Sequence, residues 1–304
     1  MLAIRILLFL VLFFLASCGE REVVHDVFHE MSGRPIIINL DTDKYSLLSF
    51  YDKTSYDEIL RESSAGDLKA SFLKAILLLA DMPGYGVEPD LNEGVSSLKD
   101  LWGSGVVNAG YYLYLIYNQG SGVQRNTDVA INYLSASANY GYPKSQQVLG
   151  MAYSGKLPDR LVNVDFDKAV AWFSAAAEQG DKVSAIHLSG LYYRGQGVVK
   201  NYRRAFELIS GVESMPYGSA DDGFYGLAFY YENGIGTDVD LVQAYKYYDL
   251  LSPGSAPDKA RLAEQMTPEQ IREAISLSRQ WQEEHNIFVP SYYGLEYQED
   301  GTFQ

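Results

Sequence analysis

The chain has 304 residues, with 24 Lys and Arg against 39 Asp and Glu and a net charge of −15 at pH 7. Nucleic-acid recognition rests on cations that neutralise phosphates, so this balance argues against DNA or RNA and slightly favours a basic partner through long-range steering. An apolar content of 47% can build a substantial core, and a single cysteine cannot form a disulfide within the chain.

At the N-terminus, Arg5 precedes an unbroken apolar run from Ile6 to Ala16. That run is short for a bilayer span. A basic start, a short apolar core and small residues before a cleavage point describe a secretory signal, residues 1–17. Leu15-Ala16-Ser17-Cys18 resembles the lipobox of bacterial lipoproteins, in which the cysteine becomes the acylated first residue of the mature chain. The resemblance implies a lipid anchor at Cys18. Because Gly19 rather than Asp follows, it also implies the periplasmic face of the outer membrane. Residues 18–61 then read as a tether with a short extended piece around Pro35-Ile36-Ile37-Ile38. Within it, His25 and His29 are four apart, but HDVFHE lacks the glutamate position of a helical zinc motif, and no metal is expected there.

From about residue 62 the chain repeats itself. An Asp or Asn stands four residues before a small residue at Asp90/Gly94, Asn126/Ala130, Asp165/Ala169, Asn201/Ala205 and Asp240/Ala244, with spacings of 36, 39, 36 and 39. Most of these Asx residues follow a Gly-x-Gly turn: Gly84-Tyr85-Gly86, Gly120-Ser121-Gly122, Gly195-Gln196-Gly197 and Gly234-Ile235-Gly236. The third copy is irregular, with Gly155-Lys156-Leu157-Pro158 and a short insertion. Glycine ends a helix by turning left-handed, and Asp or Asn starts the next by accepting from unpaired backbone N–H groups. Each copy is therefore predicted to be a helical hairpin, whose second helix stops at Gly105, Gly141, Gly180 and, more loosely, Gly218.

Ala169-x-x-Trp172 to Gln179-Gly180, followed by Leu188, Tyr192 and Gly195, closely resembles the Sel-one-like repeat, a relative of the tetratricopeptide repeats. The resemblance covers roughly residues 65–252 and implies an all-α fold: an α/α solenoid of about five hairpins, spanning 62–256, whose members mostly act as adaptors for protein complexes. Thr267-Pro268-Glu269-Gln270 carries a capping-box pattern that starts an amphipathic helix, so 257–285 reads as a C-terminal cap. Residues 286–304, with Phe288, Tyr292, Tyr293 and Tyr297 among acids, fit no helical period and read as an irregular tail.

Signs of catalysis are weak. Ser71-x-x-Lys74 and Ser96-x-x-Lys99 match the nucleophile motif of penicillin-recognising enzymes, but the companion S-D-N and K-T-G elements are missing. His187 and His285 stand on repeat and cap helices, where packing explains them. No cofactor is expected. The excess of 25 tyrosines is more informative. Tyr117, Tyr192 and Tyr231 recur three residues before a turn glycine and read as core. Tyr112, Tyr114, Tyr193, Tyr230 and Tyr247 are not demanded by the period and are candidates for a protein-binding surface. Arg194, Lys200, Arg203 and Arg204 form one basic cluster and join them as candidate contacts. The expected function is non-catalytic protein binding in the envelope. Assembly adaptor is the first form of it, and the second is an immunity protein against a secreted effector such as a type VI phospholipase, which lipoproteins with these repeats resemble. A cell-wall or β-lactam hydrolase is the enzymatic alternative.

Overall fold

The computed structural model describes residues 28–38, 55–80 and 86–294. Cys18 with its lipobox, His25, Gly84, Tyr85 and Tyr297 lie outside the described residues. Those described form thirteen α-helices and no strand, in two compact units that divide between Tyr142 and Pro143.

The first unit contains α1 (Tyr56–Ser64), α2 (Leu68–Leu79), α3 (Leu91–Gly103), α4 (Val107–Gln119) and α5 (Thr127–Asn139). α1 begins inside the stretch expected to be tether, because Ser55 accepts from the Glu58 N–H and caps it. Phe72, Leu98, Trp102, Tyr117 and Tyr133 are fully buried and form the centre of the unit. The extended piece is also more than a tether. Residues 28–38 lie along the α3–α4 turn as a strap. Ile36 donates to the Gly105 carbonyl at 2.7 Å and accepts from Val107 N–H at 3.0 Å, so the strap supplies the N-terminal cap that Val106, with no side-chain acceptor, cannot give α4. Asn108 holds Ile38 from both sides, accepting from its N–H at 2.8 Å and donating to its carbonyl at 2.9 Å. Trp102 Nε1 donates to the His29 carbonyl at 2.7 Å, and Phe28 packs edge-on against Tyr133. The crossing is backbone on backbone: a Cβ at Gly33 would stand 2.4 Å from the Ser104 carbonyl, and one at Gly105 2.1 Å from that of Arg34.

The second unit contains α6 (Pro143–Tyr153), α7 (Phe166–Glu178), α8 (Lys182–Arg194), α9 (Tyr202–Ser210), α10 (Phe224–Asn233), α11 (Leu241–Leu250), α12 (Ala256–Ala263) and α13 (Pro268–His285). Consecutive helices pack as hairpins, and α13 packs on α11 to close the array. All five Asx residues cap as expected, each accepting from the N–H three residues on. Gly120, Gly195 and Gly234 are left-handed C-caps. The second glycine of the last two turns has a separate cause. A Cβ at Gly236 would sit 2.1 Å from the Tyr202 carbonyl oxygen, and one at Gly197 2.3 Å from that of Phe166, so each lets a turn press onto the start of the previous hairpin's second helix. The Asp249 carboxylate, fully buried, accepts from Lys259, Ser278 and Ser291, which compensates its charge and ties α11 to the cap. The first residues of the expected tail are thereby ordered: Val289 N–H donates to Gln282, and residues 290–293 form a 3-10 turn.

Candidate functional site

α8 and α10 are the first helices of neighbouring hairpins, and their C-terminal ends carry Tyr193, Arg194 and Tyr230 from the candidate contacts. α8 brings Tyr193 and Arg194 to the surface and α10 brings Phe229, next to the buried Tyr230, because both helices end at equivalent turns. Tyr193 is the hub. Its ring lies 5.4 Å from Tyr202, 6.0 Å from Tyr230 and 6.4 Å from Phe229. Tyr202 and Phe229 are exposed at 44% and 37%, so the cluster is an aromatic shelf facing solvent. Lys200 stands over the Tyr202 ring at 4.6 Å, and its interaction with that tyrosine raises the ammonium pKa. Neither Tyr202 nor Phe229 was singled out by the repeat period. A signal was present: Tyr202 directly follows a capping Asx, where the side chain must leave the hairpin's own core.

Beside the shelf is a cleft of about 250 Å³, lined among others by Lys156, His187, Ser189, Gly190, Arg194 and Tyr230. A Cβ at Gly190 would lie 3.2 Å from the Arg194 guanidinium nitrogens, so the missing side chain is what lets Arg194 fold back there. Ser189 Oγ donates to the Ala205 carbonyl at 2.7 Å and therefore accepts from the Tyr230 hydroxyl at 3.0 Å. His187 packs on Phe173 at 5.1 Å. Its pKa is lowered to about 4, first by burial and then by the charges of Lys156 and Arg194, so the ring is neutral at pH 7.

The other candidates divide. Tyr114, Tyr230 and Tyr247 are 5–6% exposed and are core residues, which corrects their reading as surface. Each repeat helix is flanked by a neighbour on more than one side, so rings off the main stripe are also covered. Tyr247 lies between Phe224 and Tyr231, and Tyr112 is half-buried against Phe72. Tyr117 is buried as expected, while Tyr192 and Tyr231 are only partly so. Arg203 and Arg204 both pair with Glu207 in solvent. The basic cluster is thus split, with Arg194 at the cleft and Lys200 on the shelf.

In the first serine motif the two side chains are engaged elsewhere. Ser71 donates to the Asp67 carbonyl while Lys74 pairs with Glu93 at 2.7 Å. Lys99 stands 5.7 Å from the Tyr117 ring centroid. Among the described residues no cluster of His, Cys, Asp and Glu could hold a metal. His285 is accounted for by stacking on Trp281, and His29 by the strap.

The Sel1 repeat family model matches residues 73–96, 107–142, 143–181, 183–210 and 225–251, half of the chain. The fold is similar to that of a protective antigen from uropathogenic Escherichia coli displaying an SLR fold, with TM-score 0.62 and 22% identity over 79% of this chain and 50% of the antigen. It is also similar to a Sel1 repeat protein from Oxalobacter formigenes, with TM-score 0.60 and 20% identity, covering 78% of this chain and 99% of that one. An uncharacterised protein of Neisseria meningitidis serogroup B is 28% identical over 171 residues, which are 56% of this chain and 34% of its own. The chain therefore spans about a third of that relative.

Proposed function

Because this chain belongs to the Sel1 repeat family, whose members act as scaffolds for protein–protein interaction, we propose that it is a non-catalytic scaffold anchored in the bacterial envelope. In this reading Cys18 carries the lipid, and a protein partner docks on the aromatic shelf of Tyr193, Tyr202 and Phe229. The observation that carries it is the shelf itself. Large aromatic side chains left half in water on a closely packed array are the residue type that supplies binding energy at protein interfaces. The support for anchoring is the lipobox resemblance at Leu15-Ala16-Ser17-Cys18.

The test is capture from the native envelope. The tagged full-length protein is crosslinked in intact cells beside Tyr193→Ala/Phe229→Ala and Cys18→Ser variants. The scaffold reading expects a defined set of copurifying proteins that the double aromatic variant loses. It also expects incorporation of an alkyne-labelled fatty acid that Cys18→Ser abolishes. A set of envelope assembly proteins would make it an adaptor, and a single secreted effector would make it an immunity protein. Capture unchanged by the aromatic substitutions would move the binding surface elsewhere.

A further inference from the structure

The chain carries 39 acidic residues, yet among the described residues neither Lys156 nor Arg194 meets a carboxylate; Arg194 donates instead to the neutral Gln196 side chain at 2.6 Å. Both line the cleft beside the shelf. The donors that remain for a ligand can be counted. The Ser189 proton is committed to the Ala205 carbonyl and the Tyr230 proton to Ser189, so neither hydroxyl donates into the cleft. A neutral His187 contributes at most one N–H. The donors left are then mainly the two cations, and what they ask for is an acceptor with negative charge. Arg presents a planar fork that matches a carboxylate. The volume limits the ligand further. At about 250 Å³ the cleft falls below the range of small-molecule sites and has room for one group of a larger ligand.

We infer that the Lys156–Arg194 cleft is a carboxylate subsite of the docking face, taking an acidic side chain or a free C-terminus of an extended protein segment. The neighbouring apolar residue of that segment lies on Tyr193 and Phe229, which adjoin the cleft through Tyr230. This rests on the scaffold reading of the same face and adds the partner's chemistry. The segment recognised is acidic, although the net charge of the whole chain favours basic partners.

The test uses the full-length protein and four probes in calorimetric titrations: N-acetyl-Phe-Asp-amide, N-acetyl-Ala-Phe with a free C-terminus, the neutral N-acetyl-Phe-Asn-amide, and inorganic phosphate. At least one carboxylate probe is expected to bind tenfold or more tighter than the Asn probe. Arg194→Gln and Lys156→Gln should each remove most of that preference, while Arg194→Lys keeps part of it, with all three variants melting like wild type. Whichever carboxylate probe is tighter identifies the source. Equal binding of the Asn probe, tightest binding by phosphate, no binding by either carboxylate, or a preference untouched by both Gln variants would each overturn the inference. Partner capture that persists in Arg194→Gln but fails in Tyr193→Ala/Phe229→Ala, with the probes silent, would overturn the subsite and leave the scaffold standing.

Discussion

At the scale of single residues, left-handed glycines differ in what surrounds them and should respond differently to a methyl group. Gly236 combines a left-handed φ of 70° with a backbone oxygen only 2.1 Å from the site of a Cβ. Gly66 has φ 91° and open space around it. Gly66→Ala should therefore cost about 1 kcal/mol, the conformational penalty alone, and Gly236→Ala more than about 2 kcal/mol, measured by denaturant unfolding. His187 carries the pH prediction. Its folded pKa of about 4 lies below the ordinary 6.5, so between these values the unfolded chain takes up a proton that the folded chain refuses. That contribution is absent above about pH 7 and destabilises progressively as pH falls toward 4. His187→Gln should lose less melting temperature than wild type between pH 7 and 4.5, and parallel curves would show that the ring is not held neutral.

At the scale of the helix, capping was readable because it is local. Asp165 and its four counterparts needed only three residues of context, and each caps the helix it was assigned. Asp181, which caps α8, was not singled out, because its second partner is remote: the carboxylate accepts from Ser184 N–H at 2.7 Å and from Gln147 Nε2 at 3.0 Å while buried. Asp181→Ala leaves the Gln147 amide unpaired inside the unit and should cost about 2–3 kcal/mol. Asp165→Ala, at an exposed cap, should lower the melting temperature by clearly less; an equal loss would mean that burial adds nothing to the cap. The aromatic residues were harder to sort. A period identifies one apolar stripe, and it assigned Tyr117 correctly, but Tyr114, Tyr230 and Tyr247 are buried by neighbours that a single helix pattern does not contain. The cleft has the same character, since Lys156, Arg194 and Tyr230 come from three successive hairpins.

At the scale of the molecule, the repeat number, the hairpin order and the C-terminal cap were legible, and the N-terminal strap was not. Its partners are about 70 residues away, and nothing in Phe28 to Ile38 alone names Trp102 or Asn108 as the place it binds. Asn108 is the position to test. Asn108→Ala leaves the Ile38 N–H and carbonyl without their bonds and should cost about 2–3 kcal/mol, with protease cleavage inside residues 28–38 appearing before any loss of helical signal. Simultaneous loss of strap and helices would mean that the strap is part of the first unit's cooperative core. The arrangement also has a mechanical side. A pull arriving from the N-terminal side of Phe28 meets the Phe28–Tyr133 contact and the His29 bonds to Tyr133 and Trp102 first, and the Ile36 and Ile38 bonds behind them. The strap therefore works as a strain relief, yielding a few residues of slack while the hairpins beyond it stay closed.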